Sequence, residues 1–201
     1  MSPIKTIVKK HQMEIKRKEK IKLRKHLNAD ALFNTVRTGF GKIEDHRNHN
    51  ATISFTDALM SGFAMFSLKD PSLLQFDNRR YWCAHNVQTI YGIDSIPCDS
   101  SMREILDGVD PNDLRPIFKN IFAQLQRGKA LEKFVYMDDC YLLSLDGTGY
   151  FSSPVRHSPA CMKKENKKTG EVTGYYLQML GASIVHPDRK EVIALCPEPI
   201  M

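Results

Sequence analysis

The sequence predicts an α+β protein, a helical region followed by antiparallel strands, and three observations carry that expectation. Leu114, Ile117, Phe118, Ile121, Phe122 and Leu125 recur at spacings of three and four, the best helical period in the chain. Past Gly128 the period gives way to short runs of apolar, aromatic and β-branched residues at 141–145, 175–185 and 191–196, each bounded by Gly, Pro or charged turns. The connections between these runs are short enough for antiparallel neighbours. A chain of 201 residues with 42% hydrophobic content can bury one good-sized core or two small ones.

Taken in order, residues 1–27 form a basic arm in which Lys and Arg alternate with Ile7, Val8, Met13, Ile15, Ile21 and Leu23. Its helical periodicity is fragmentary, so in isolation it is weakly structured. Residues 28–135 read as a helical domain. A short helix spans 28–40 around Leu32, Phe33 and Val36, with Gly39 and Gly41 to stop it and a polar loop at 44–50 after it. Ser54 followed by Asp57 resembles a capping box, and Leu59, Phe63 and Phe66 then recur at helical spacing in a buried helix that lasts until Asp70-Pro71. A further helix runs from about Arg79 to Ile90 and ends at Gly92; Ser101 with Glu104 can cap a short one that ends at Gly108. Asp110 stands where an N-cap belongs, with Pro111 at the first helical position and Asp113 in the first turn of the strongly periodic helix. Residues 136–201 hold the three strands, with 163–174 as a basic loop and 186–190 as a turn.

Charge is distributed unevenly. Residues 1–26 carry ten of the 29 Lys and Arg residues but only Glu14 and Glu19, a charge of +8, while the remaining 19 basic and 21 acidic residues sum to −2. Such an arm is either a solvated tail or a nucleic-acid contact, and composition leaves both open. The five cysteines contain no C-x-x-C pair, which argues against a disulfide framework and a four-thiolate zinc site. No stretch approaches the roughly 18 apolar residues of a membrane span. The N-terminus is not a secretory signal either, and the expectation is a cytoplasmic protein without a membrane partner.

Asp146 follows the apolar run Leu142-Leu143-Ser144-Leu145 and precedes Gly147-Thr148-Gly149. Two readings compete at this point. Asp-Gly between apolar runs is a strong hairpin signal. Alternatively, a carboxylate at a strand beside small residues is a metal ligand, with glycines that let a phosphate backbone approach. The pattern alone does not separate them.

The string from Leu142 through Asp146-Gly147-Thr148-Gly149-Tyr150-Phe151-Ser152-Ser153, then His157, Cys161 and Gly174-Tyr175-Tyr176, resembles the opening of the catalytic domain of insertion-sequence transposases of the DDE type. Residues 55–66, and the segment from Ile96-Pro97 through Met102-Arg103 to Leu114-Arg115, are similar to the helical region that precedes that domain, so the resemblance covers about residues 30–200. It implies a ribonuclease H-like domain, here incomplete and limited to its first three strands, with Asp146 as the first acidic residue and metal ligand. Such enzymes hold two magnesium or manganese ions with two Asp and one Glu, roughly 4 Å apart across the scissile phosphate. The family's second Asp and its Glu lie beyond the third strand. Asp138 and Asp139 precede the first strand and do not replace them. Magnesium or manganese is therefore expected only in a complete enzyme, and the 201-residue chain alone is expected to be inactive. The family often shows a His-Cys-x-x-Cys run where this chain has His157, Ser158 and Cys161, and no metal is assigned there.

Given the transposase resemblance, DNA contact becomes the favoured reading of the arm, because lysines and arginines bind DNA by neutralising phosphates and releasing counterions. The candidates are Lys9, Lys10, Lys16, Arg17, Lys18, Lys20, Lys22, Arg24 and Lys25, with a weaker cluster of Lys163, Lys164, Lys167 and Lys168, for which a charged hairpin loop is an equal reading. The expected function is DNA transposition as a truncated or split transposase acting on insertion-element ends in the nucleoid. The alternative is a non-catalytic DNA-binding remnant that inhibits or pairs with full-length transposase or its downstream half. A three-stranded partial sheet is further expected to expose an unpaired edge and an apolar face.

Overall fold

The computed structural model describes Met13 and residues 27–48, 50–158 and 161–200. The nine basic candidates of the arm lie outside these residues. Helices come first and an antiparallel sheet follows, an α+β arrangement. The chain divides into two compact units at Gly128–Lys129.

The helical unit holds α1 (Ala29–Phe40), α2 (Phe55–Ser67), α3 (Leu73–Asp77), α4 (Arg79–Trp82), α5 (Ala84–Tyr91), α6 (Asp99–Asp107) and α7 (Arg115–Arg127). Local caps account for several boundaries. Asn28 caps α1 through the Ala31 amide, Ser54 caps α2 through the Asp57 amide, and Asp110 caps a 3-10 turn at Pro111–Leu114 that leads into α7. Gly92, in the left-handed region at φ 68°, closes α5. Val36, Met60, Phe76, Val87, Met102 and Ile117 belong to one buried cluster drawn from six of these helices.

Four expectations change here. Gly39 does not stop α1 but lies inside it, because a Cβ there would meet Ile117 Cγ1 at 2.5 Å and the two helices could not approach as they do. Phe66 is 67% exposed, and the inward side of α2 is formed by Ala58, Leu59, Met60, Ala64 and Met65 instead. The helix expected from Arg79 to Ile90 is broken at Cys83, whose φ of −134° and ψ of 19° turn the chain between α4 and α5. Ser101 does not cap α6; the helix begins at Asp99, and the buried carboxylate of Asp77 accepts the Asp99 amide at 3.3 Å. A carboxylate from another helix thus satisfies the positive N-terminal end of α6.

A second buried carboxylate ties the unit together. Asp57 Oδ1 accepts from Arg37 Nη2 at 2.9 Å and Asp57 Oδ2 accepts from the Asp94 amide at 3.3 Å, so one side chain of α2 holds α1 and the segment after α5. Buried polar groups survive when so satisfied.

In the second unit the sheet consists of β1 (Leu142–Ser153), β2 (Met162–Glu165), β3 (Val172–Val185), β4 (Ile193–Ala194) and β5 (Glu198–Ile200). β3 is central. β1 pairs with it antiparallel along its length, while β2, β5 and β4 pair in succession along its other edge. The run expected at 191–196 is thus a two-residue strand, and pairing with β3 resumes at β5 past the Cys196-Pro197 interruption. The basic segment 163–174 is not simply a loop: Lys163 and Lys164 stand on β2, and only 166–171 form the turn, where Gly170 takes φ 73° and its amide reaches the Asn166 carbonyl.

Among the described residues of this unit, the buried ones other than Gly174 gather at one end of β3. Leu131, Phe134, Ile184 and His186 are buried, the His186 ring meets Tyr136 edge-on at 5.7 Å, and Arg189 donates to the Lys133 carbonyl while its guanidinium lies over the Phe134 ring. Elsewhere on the sheet Leu143, Leu145 and Leu180 are exposed.

Candidate functional site

Asp146 lies within β1 rather than in a hairpin turn. Leu145, Asp146, Gly147, Thr148 and Gly149 pair in register with Ala182, Gly181, Leu180, Met179 and Gln178. Asp-Gly favours a turn locally, but a turn needs its flanking runs to pair with each other, and here both pair with β3.

Side chains alternate across a sheet, so the register assigns faces. Ser144, Asp146 and Thr148 share one face with their partners Ser183, Gly181 and Met179. Asp146 is exposed and stands directly opposite a glycine, between a serine and a threonine on its own strand. Small neighbours leave space around that carboxylate for a hydrated ion or a phosphate oxygen. Leu143, Leu145 and Gly147 take the other face with Ile184, Ala182 and Leu180; Ile200 reaches within 3.7 Å of where a Cβ on Gly147 would stand.

A bulge between Gly149 and Phe151 shifts the register, so that Phe151 pairs with Leu177 and Ser153 with Tyr175. Tyr150, the extra residue, is 71% exposed. Beyond the bulge the Asp146 face continues with Tyr175 and, across from it, Lys163. Lys163 is therefore on the face of Asp146, but its partner Tyr175 lies six residues from Gly181, or roughly 20 Å along the strand. Lys164, paired with Gly174, is on the opposite face; Lys167 and Lys168 sit in the turn beyond. All four lysines are exposed. Of the second lysine cluster, only Lys163 shares the carboxylate's face.

His157 stacks on Tyr175 with ring centroids 4.0 Å apart and planes 15° from parallel, and its Nδ1 lies 3.2 Å from the Val155 carbonyl. Ser158 closes a turn with Cys161: the Cys161 amide donates to the Ser158 carbonyl, and the Ser158 amide and hydroxyl lie 3.5 Å from Cys161 Sγ. The Ser158 hydroxyl holds the Cys161 thiol below the usual cysteine range, because hydrogen bonds favour the thiolate. Asp138 and Asp139, both at positive φ, form the turn that leads into β1, closed by the Tyr136 amide on the Cys140 carbonyl and a Val135–Tyr141 bridge.

Among the described residues, no group of three or more His, Cys, Asp or Glu side chains is gathered to hold a metal ion. Magnesium takes near-octahedral oxygen ligands and is usually held by one or two carboxylates together with substrate phosphates; Asp146 offers one exposed carboxylate. No helix among the described residues is long and apolar enough to cross a membrane.

One feature escaped the sequence reading. Trp82 and Tyr81, at the end of α4, are 86% and 67% exposed. Helical periodicity carries no signal for it, because their exposure follows from the break at Cys83. Comparison with protein-family models, with curated proteins and with solved structures finds no match to this chain.

Proposed function

We propose that this chain is part of a DNA transposase of the DDE type, and that Asp146 is the first acidic ligand of its catalytic centre. What supports the reading most is the position of Asp146: an exposed carboxylate within a 12-residue strand, opposite Gly181 and flanked by Ser144 and Thr148. A hairpin aspartate would serve the turn, whereas a carboxylate standing on a paired strand has no such local task. The residue string around Asp146 and the arrangement of helices before an antiparallel sheet agree with a ribonuclease H-like catalytic domain.

Two-metal phosphoryl transfer needs further carboxylates on the same centre. Residues 1–201 do not supply them beside Asp146 among the described positions, and no catalytic step is assigned to these residues alone. The DNA immediately downstream of the Met201 codon, translated in all forward frames, tests the reading. An Asp and a Glu in a ribonuclease H-like continuation, together with metal-dependent cleavage of element-end DNA that Asp146→Ala abolishes in the joined protein, are the expected results. Cleavage that survives Asp146→Ala overturns the assignment of Asp146.

A non-catalytic DNA-binding protein that pairs with a full-length transposase is the second reading. It is favoured by the concentration of positive charge in residues 1–26, which needs no metal to act. Absence of any downstream Asp and Glu, with salt-dependent DNA binding by the 201-residue chain, would leave this reading in place of the first.

A further inference from the structure

We propose that Trp82, with Tyr81 beside it, is a stacking platform for unpaired DNA bases; the proposal rests on the DNA-binding reading above. Trp82 is 86% exposed and Tyr81 67% exposed, although aromatic side chains of this size ordinarily bury most of their surface. The helix that carries them is pinned. Arg79 grips Asp70 with two hydrogen bonds, of 2.6 Å and 2.8 Å, and the Cys83 amide closes on the Arg79 carbonyl at 2.7 Å. The rings are thus presented on a held turn, and little ordering is needed when a flat partner arrives.

The charge of the segment that carries the rings suits an anionic partner. Residues 66–92 contain Lys69, Arg79 and Arg80 against Asp70 and Asp77. The Asp70 side chain is only 6% exposed beneath Arg79, and Asp77 is buried at 6%. No carboxylate of this segment therefore faces solvent, while Lys69 and His85 do. Asp94, which accepts from Gln88, lies beyond the far end of α5 from Trp82. Exposed Asn78, His85 and Asn86 surround the rings in sequence with hydrogen-bonding groups. Arg80 adjoins the rings in sequence, and a flat π face beside basic and polar residues is what single-stranded nucleic acid uses: bases stack in a sequence-tolerant way while cations neutralise the backbone. Duplex bases are already stacked on one another, so the occupant is a strand with unpaired bases. Leu74 and Ile90 are exposed on the same segment, which makes a second copy of the chain the competing occupant.

Trp82 is the single tryptophan of the chain, so its fluorescence reports on this site alone. The 201-residue chain is titrated at low salt with a labelled single-stranded oligonucleotide and with a blunt duplex, with tryptophan emission and label anisotropy read together. The single strand is expected to quench the emission saturably and more strongly than the duplex. Trp82→Ala is expected to weaken single-strand binding about tenfold, the loss of one base–ring stack, with the salt dependence unchanged. Trp82→Phe, which keeps a ring, should recover most of that loss and guards against a folding defect. Anisotropy that rises without any change in emission, and equal binding by Trp82→Ala, overturns the platform and leaves the DNA-binding reading intact. No response in either channel overturns both. A concentration-dependent blue shift without DNA assigns Trp82 to a contact between copies and overturns the platform.

Discussion

The two units of this chain are stabilised in different ways. In the helical unit, apolar residues from α1, α2, α3, α5, α6 and α7 converge on one buried cluster, with Ala58, Met60, Ala64, Phe76 and Met102 at 0% exposure. Among the described residues of the strand unit, buried apolar side chains are confined to Leu131, Phe134 and Ile184, while Leu143 and Leu145 on β1 are 56% and 63% exposed. Helices packed around a centre give each apolar stripe several neighbours, whereas a sheet hides a face only when a further layer lies on it. Among the described residues the sheet gains such cover only near Ile184 and His186. Order in the sheet thus rests mainly on the β1–β3 ladder, and order in the helical unit on packing.

The largest expected effect tests this contrast directly. Phe76→Ala removes a fully buried ring and should cost about 3–5 kcal/mol in urea unfolding of the helical unit. Leu145→Ala, at a side chain 63% exposed, should cost under about 0.5 kcal/mol. Losses of similar size would show that the Leu145 face is covered in solution, and the contrast would fail.

Two glycines sharpen the contrast at an intermediate scale. Ala at position 39 would bring its Cβ to 2.5 Å from Ile117 Cγ1. Helix propensity favours Ala by up to about 1 kcal/mol, but overpacking costs about 1–3 kcal/mol and should win. In β1, Gly149→Ala meets nothing within 4 Å and should be neutral or stabilising by up to about 1 kcal/mol through the unfolded chain. Thermal melts of both variants read the opposite signs; a stabilised Gly39→Ala would mean that α1 and α7 can shift apart at little cost.

The smallest expected effect is electrostatic. The Arg47 guanidinium bonds Asp45 at 2.9 Å and 2.8 Å and holds its carboxyl down at about 2, against an ordinary value of 3.8. A depressed carboxylate contributes stability that is complete above its unfolded value and lost as pH falls through the folded one, so the window lies between about pH 4 and pH 2. With the Asp45 side chain 39% exposed, solvent screening limits the contribution to at most about 1 kcal/mol. Arg47→Gln should return the Asp45 carbonyl resonance, followed by NMR, to an ordinary titration near 3.8. A midpoint still near 2 would mean that another group holds the charge.

Legibility in the sequence followed the range of the interaction. Ser54, Asp110, Gly92 and Gly108 mark helix boundaries because a cap involves residues only a few positions apart. The start of α6 was not legible, since its amide is met by Asp77 from 22 positions away. Phe66 kept the helical period of Leu59 and Phe63 yet emerged at the surface, because a period defines a stripe but not how far along the helix its neighbours extend. The candidate site was legible as a residue, Asp146, but not as a geometry. Its position within a strand, and the separation of Lys163 from it, depend on the pairing of β1 and β2 with β3.

By itself the sequence determined the order of helices before strands, the caps that start and stop several helices, and the concentration of positive charge in residues 1–26. These depend on composition and on neighbours within about one turn, where the chain has few alternatives. Tertiary structure alone decided that Asp146-Gly147 runs straight through a strand, that Gly39 admits Ile117, and that Trp82 points to solvent at a break in a helix. Each of these depends on a partner distant in sequence or on the absence of one, and a side chain's surroundings are set only when those distant segments have packed.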